Sequence, residues 1–116
     1  DDFHNELYAL YELTKNGELI QLAAKKIIQF PEKADLMAEI SKQYFSSGQL
    51  AYSLAMLNAY LSARPEDYSS LSNKGMLLEM LEKNKEALLV YEQVLSRQPD
   101  HQHARQLYEQ LKQRMK

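Results

Sequence analysis

Cysteine is absent from this sequence of 116 residues, and its absence excludes several kinds of chemistry. Without a thiol the chain has no disulfide, no thiolate nucleophile and no zinc site with Cys ligands. The compartment stays open, because a protein without cysteine suits both the reducing cytoplasm and the oxidising bacterial periplasm. The sequence therefore leaves a cytoplasmic and a periplasmic location as alternatives.

Glycine is scarce as well, since only Gly17, Gly48 and Gly75 occur. Three dispersed glycines form no glycine-rich loop for phosphate groups, and the His-Glu-x-x-His zinc motif does not occur. His101 and His103 are two residues apart, which places them on different faces of a helix, and we expect both to be solvated. No nucleophile with its base and no pair of catalytic carboxylates can be identified. We expect a protein that is not an enzyme and has no cofactor and no metal site.

An excess of one charge is also missing, because fourteen Lys and Arg oppose sixteen Asp and Glu and leave a formal net charge of −2. This balance gives no overall field that attracts nucleic acid or an anionic membrane. The basic residues near the C-terminus, such as Arg105 and Arg114, are dispersed and do not form the stripe of a nucleic-acid-binding protein. We expect no nucleic-acid partner.

The sequence begins Asp1-Asp2-Phe3, without an apolar run, so we expect no direct membrane insertion and take the chain to be a fragment of a longer protein. The hydrophobic fraction is 45% and the charged fraction 26%, which is ordinary for a soluble, folded protein. A chain of this length is expected to form one domain, residues 1–116.

The three prolines are the most informative residues that are present. Pro31, Pro65 and Pro99 are evenly spaced along the chain, and each precedes an acidic residue. Proline cannot continue the helix before it, and an acidic side chain suits the first turn of the helix after it. Their common interval, roughly 34 residues, is that of tetratricopeptide repeats, in which each repeat is a pair of helices.

Between the prolines, apolar residues recur at steps of three and four, which is the spacing of a buried helix face. The second repeat divides at Ser46–Gly48 and the third at Glu82–Asn84, so that each contains a helix pair. These patterns predict helices at about residues 2–15, 18–30, 32–47, 50–63, 67–82, 84–97 and 101–115. No stretch alternates as a strand does, and we therefore expect an all-α fold of about seven helices.

The third repeat resembles the tetratricopeptide repeat family through Gly75, Leu78, Ala87, Tyr91 and Pro99. The second repeat matches the same pattern through Ser41, Tyr44, Gly48, Ser53, Leu57 and Pro65. Small residues in the pattern let two helix axes approach closely, and bulky residues fill the space beside them. The resemblance implies a right-handed superhelical array of antiparallel helix pairs, with repeats at about 1–33, 34–67 and 68–101 and a capping helix over 102–116.

In this family the first helix of each pair lines a concave groove that binds a partner. The resemblance places these residues in the groove: Tyr8, Tyr11, Glu39, Lys42, Phe45, Asn73, Met76 and Met80. Glu79 also falls at a groove position. The aromatic residues Tyr8, Tyr11 and Phe45 are the expected hot spots, because they supply large contact area with few rotamers to order. A clamp for a C-terminal carboxylate is not expected, since Asn73 alone matches it and Glu39 would repel an anion.

The resemblance implies a protein-interaction scaffold that takes a partner segment in this groove and belongs to a larger assembly or biogenesis factor. One alternative is a homo-oligomerisation module that stacks through its terminal repeats. Another is the binding of a carbohydrate or small ligand in the groove, for which Tyr8, Tyr11 and Phe45 would supply aromatic surface.

Overall fold

The computed structural model of the protein describes residues 34–116, which form five α-helices joined by short turns. We number them in chain order as α1 (Ala34–Ser46), α2 (Leu50–Ala63), α3 (Tyr68–Met80), α4 (Asn84–Arg97) and α5 (Gln102–Arg114). No strand occurs between residues 34 and 116, so the all-α prediction is confirmed there. The expected helix ends differ from the observed ones by at most two residues. The helices expected at about 2–15 and 18–30 lie outside the described residues.

The helix ends recur along the chain at the same interval as the prolines. The helices α1, α3 and α5 begin at residues 34, 68 and 102 and end at residues 46, 80 and 114. The helices α2 and α4 begin at residues 50 and 84 and end at residues 63 and 97. The period of the sequence is therefore also a period of the backbone, and residues one period apart are structurally equivalent.

The chain forms two compact units, which divide between Arg64 and Pro65. In the described part of the first unit, α1 packs against α2. In the second unit, α3 packs against α4, and α5 packs mainly against α4 with a smaller contact to α3. None of these five helices combines the length and the apolar character that a membrane crossing requires.

The helix crossing in the first unit is built around two buried serines. Ser41 and Ser53 each donate a hydrogen bond from Oγ to the main-chain carbonyl of the other, at 2.8 Å in both cases. Their two Oγ atoms lie 3.0 Å apart. These reciprocal bonds satisfy the hydroxyls inside the core, so that their burial leaves no polar group without a partner.

The equivalent crossing in the second unit uses a glycine and an alanine. Gly75 faces the ring of Tyr91, and a methyl group added at Gly75 would lie only 2.9 Å from Tyr91 Cδ1. Ala87 and Tyr91 are completely buried. The missing side chain at Gly75 makes room for the aromatic ring, which confirms the prediction of a close helix crossing at this residue.

A residue with left-handed backbone ends the first helix of each pair. These residues are Gly48, with φ of 79°, and Glu82, with φ of 63°, and they are one repeat period apart. The residue after each of them donates its main-chain N–H to a carbonyl in the last turn of the helix. The N···O distance is 2.9 Å for Gln49 and 2.8 Å for Lys83. Glycine adopts this conformation without strain, whereas the Cβ of glutamate makes it costly.

The residue two positions after each described proline caps the helix that follows. Asp67 Oδ1 accepts a hydrogen bond from the N–H of Ser70 at 3.1 Å. At the equivalent position, His101 Nδ1 accepts one from the N–H of Ala104, also at 3.1 Å. The capping role of His101 was not predicted from the sequence, because histidine is not among the residues that usually occupy this position.

Candidate functional site

Three of the predicted groove residues lie on α1 in the first unit. Glu39, Lys42 and Phe45 are all exposed, and the Phe45 side chain is one of the large hydrophobic groups left in solvent, at 46% exposure. Their spacing of three residues keeps them on one side of the helix. The other side of α1 is buried through residues such as Met37, Ile40 and Tyr44. This side of α1 therefore offers an acid, an amine and an aromatic ring to solvent.

Three further predicted groove residues lie on α3 in the second unit. Asn73 is exposed, Met76 is half-buried, and Met80 is 51% exposed. Steps of three and four residues place them on one side of α3. An amide can hydrogen-bond a peptide backbone, and the flexible thioether of methionine adapts to irregular apolar partners.

The structure thus groups the predicted residues by helix. It brings Glu39, Lys42 and Phe45 together on α1, and Asn73, Met76 and Met80 together on α3. Tyr8 and Tyr11 lie outside the described residues, and their place in a binding surface stays a prediction.

Glu79 lies between Met76 and Met80 in the sequence of α3, but its carboxylate is occupied within the second unit. The hydroxyl of Tyr91 on α4 donates a hydrogen bond to one carboxylate oxygen. The guanidinium of Arg114 on α5 forms an ion pair and a hydrogen bond with the other. The side chain of Glu79 is 15% exposed, compared with 61% for Arg114. Glu79 therefore joins three helices of the second unit.

The surroundings of Tyr91 keep its hydroxyl protonated. Burial raises the pKa of the Tyr91 hydroxyl above its usual range, and the hydrogen bond to Glu79 and the negative charge of that residue raise it further. The positive charge of Arg114 acts in the opposite direction and lowers the pKa. A phenol whose pKa is raised in this way acts as a hydrogen-bond donor and not as a base. The perturbation is explained by a structural network and does not by itself indicate catalysis.

Sequence reasoning missed this network because its members are separated by 12 residues, between Glu79 and Tyr91, and by 35, between Glu79 and Arg114. One signal was present. The position equivalent to Glu79 in the preceding repeat is Phe45, so that one repeat carries an acid where the other carries an aromatic residue.

Three positions that are buried in α3 are exposed and charged at the equivalent positions of α5. In α3 these residues are buried, and they are Leu71, Gly75 and Leu78. In α5 they are exposed, and they are Arg105, Glu109 and Lys112. Arg105 and Glu109 form a loose ion pair at 4.0 Å, and the amine of Lys112 lies 5.1 Å from the ring centre of Tyr108. This face carries charge where α3 carries core residues.

An open depression of about 590 Å³ lies beside the start of α5. It is lined by Pro99, Asp100, His101, Gln102, Arg105 and Gln106. Its polar lining is mixed and consists of one carboxylate, one guanidinium, one imidazole and two amides. Within residues 34–116, no three His, Cys, Asp or Glu side chains are grouped so that they could hold a metal ion.

Comparison of the sequence with models of known protein families and with curated proteins gives no match. The candidate binding residues on α1 and those on α3 therefore rest, each within its own unit, on the exposed side chains of these two helices.

Proposed function

We propose that the protein is a scaffold of the tetratricopeptide type, which binds a segment of another protein on the exposed sides of the first helices of its repeats. The observation that carries the proposal is the recurrence of helix starts and ends at the interval of the prolines. Small residues at both helix crossings, Ser41 with Ser53 and Gly75 with Ala87, support it. The complete architecture that we propose is a right-handed superhelix of seven helices, in which residues 1–33 form the first repeat.

The position of the exposed hydrophobic residues supports binding by the first helices. In the described part of the chain, the large hydrophobic side chains that are exposed are Phe45, Met80, Leu89 and Met115. Phe45 and Met80 lie near the ends of the two first helices, α1 and α3. A phenyl ring that leaves water on binding is typical of an interface hot spot, and we propose Phe45 as the main anchor. By resemblance, the proposed surface extends to Tyr8 and Tyr11.

Charges beside the anchor indicate what kind of segment would bind. Glu39 and Lys42 lie on the same exposed side of α1 as Phe45. Opposite charges at a rim orient a partner and raise its association rate without adding much affinity. We propose a partner segment with one apolar side chain for Phe45 and charged residues of both signs next to it.

Site-specific photo-crosslinking tests the proposed surface. A benzophenone side chain is placed at Lys42, at Asn73 or at Gln93, which is exposed on the second helix α4. The expected result is a crosslinked partner from the first two positions and none from Gln93. The same partner should be lost when Phe45→Ala is added to the Lys42 variant. Equal crosslinking at all three positions would contradict binding by the first helices.

A further inference from the structure

The helix α5 is attached to the second unit by few apolar contacts. Of its 13 residues, Ala104 and Leu111 are buried, and Leu107 and Tyr108 are half-buried. By comparison, α4 buries Ala87, Val90, Tyr91 and Val94. A helix of this length is marginal in water when it stands alone, so α5 depends on the surface that it covers. An element with few buried contacts is the first to open.

The far end of α5 is fastened by a polar contact. Arg114 is the last residue of the helix, and its guanidinium pairs with Glu79 on α3. The near end is held by the short connection from Gln98 to His101. When Arg114 leaves, Glu79 keeps its hydrogen bond from Tyr91, which holds the carboxylate in position. The surface under α5 therefore retains a fixed negative group that a second cation can occupy.

We propose that the surface of α3 and α4 covered by α5 is a binding site for an amphipathic helix of a partner protein, and that α5 is a strap that competes for this site. The occupant in the structure defines the chemistry of the ligand. It has a small residue at Ala104, an apolar one two turns later at Leu111, and a cation at Arg114 that reaches Glu79. This pattern is that of a helix bound in a groove. The site differs from the proposed binding surface on α1 and α3 and does not rest on it.

The release of the strap follows from its competition with the ligand. A helix supplied in trans binds only those molecules in which α5 is undocked. Its apparent affinity is therefore its intrinsic affinity multiplied by the undocked fraction. Weakening α5 in the protein, while leaving Glu79 and the rest of the site intact, must therefore strengthen the binding of the same helix from outside. An α5 that is an integral part of the core would show no such relation.

A labelled synthetic peptide of residues 99–116 is the probe, added to the full chain and followed by fluorescence anisotropy. The variant Arg114→Gln removes the ion pair to Glu79, while the peptide still brings its own arginine. We expect this variant to bind the peptide about threefold to tenfold more tightly than the unmodified protein. This factor corresponds to the stabilisation that docked α5 loses with one ion pair of which one member is partly buried. The matched control is Arg105→Gln, which removes only an ion pair inside α5 and should change the affinity less than about twofold.

Two altered peptides and a measurement of amide hydrogen exchange complete the test. A peptide with Leu111→Asp should not bind, and one with Arg114→Gln should lose the gain in affinity. Amide hydrogen exchange should be faster in α5 than in α4, and Arg114→Gln should accelerate it about threefold to tenfold in α5 alone. The proposal requires both results. It is overturned if the Arg114→Gln protein binds the peptide no more tightly, if the Leu111→Asp peptide binds equally, or if α4 and α5 exchange together.

Discussion

Arg114, the last residue of α5, forms an ion pair with Glu79 of α3, and Glu79 also accepts the hydrogen bond of the buried Tyr91 hydroxyl. The contact links three helices at one carboxylate. The Glu79 side chain is only 15% exposed, and its carboxylate accepts hydrogen bonds from one neutral donor, Tyr91, and one charged donor, Arg114. The network explains why an acid occupies a position where the preceding repeat has Phe45.

Removing the Tyr91 hydroxyl should weaken the second unit. We expect Tyr91→Phe to lower the free energy of unfolding by about 1–2 kcal/mol, because the ring still fills its space while Glu79 loses a donor. Urea denaturation measures the change. Tyr108→Phe, on the partly exposed face of α5, is the control and should stay within about 0.5 kcal/mol. Equal midpoints for Tyr91→Phe and the unmodified protein would show that the hydrogen bond contributes nothing.

The raised pKa of Tyr91 predicts a loss of stability in alkali. The folded state holds the phenol proton more tightly than the unfolded state, whose tyrosines ionise near pH 10. The stabilisation is complete below about pH 10 and falls by about 1.4 kcal/mol for each pH unit above it, until the pH reaches the folded pKa. The difference in unfolding free energy between the unmodified protein and Tyr91→Phe should therefore shrink at high pH. Parallel stability curves from about pH 8 to pH 11 would contradict this.

The two left-handed turn residues predict opposite effects of substitution. Glu82→Gly should raise the free energy of unfolding by about 0.5–1 kcal/mol, because glycine adopts the positive φ without strain. Gly48→Ala should lower it by about 1 kcal/mol, although no atom lies within 4 Å of the added methyl group. Thermal unfolding of both variants measures the changes. Shifts of the same sign would mean that backbone strain does not decide these positions.

The contact between Gly75 and Tyr91 predicts a coupled pair of substitutions. Gly75→Ala should cost about 1–3 kcal/mol, since its methyl group would lie 2.9 Å from Tyr91 Cδ1. Tyr91→Leu should recover part of that loss, because the first unit likewise has a leucine, Leu57, where its equivalent of Gly75 carries a side chain, Ser41. A double-mutant cycle by urea denaturation would measure a coupling of about 1 kcal/mol or more. Additive losses would show that the two residues do not compete for the same space.

Truncating the proposed anchor should weaken partner binding without unfolding the protein. We expect Phe45→Ala to lower the affinity for the crosslinked partner by about 1–2 kcal/mol, while its thermal midpoint changes little because the ring is exposed. The matched control is Leu89→Ala, which removes an exposed hydrophobic side chain from α4 and should leave the affinity unchanged. Isothermal titration calorimetry distinguishes the two. A larger loss for Leu89→Ala would place the binding surface on the second helices.

The helices could be predicted from the sequence because local signals mark them. Prolines precede the caps of α3 and α5, and apolar residues recur with the helical period, so that the expected ends agree with the observed ones. The close approach at Gly75 was also predictable, since a small residue at that repeat position indicates a crossing. In each case the responsible residues lie within a few turns of the feature that they determine.

The side-chain contacts were less predictable because they depend on packing between distant residues. Glu79 was expected to face a partner, yet its neighbours Tyr91 and Arg114 come from other helices. The cap at His101 escaped notice because the ring nitrogen replaces the usual side-chain oxygen. Exposure of Glu39, Lys42 and Phe45 agrees with a binding role, but exposure alone does not identify a ligand.

The two helix crossings, equal in backbone register, use different chemistry, and this difference guards against incorrect pairing while the chain folds. Pairing α1 with α4 would set the hydroxyl of Ser41 against Ala87 and bring the two buried tyrosines, Tyr44 and Tyr91, into one crossing. Pairing α3 with α2 would leave Gly75 without an aromatic ring to fill its space. The pairing of α1 with α4 is overfilled, and the pairing of α3 with α2 has a void. Both are destabilised relative to the native pairs. Each first helix thereby selects its own partner helix over the equivalent helix of the other repeat, although the two have the same length.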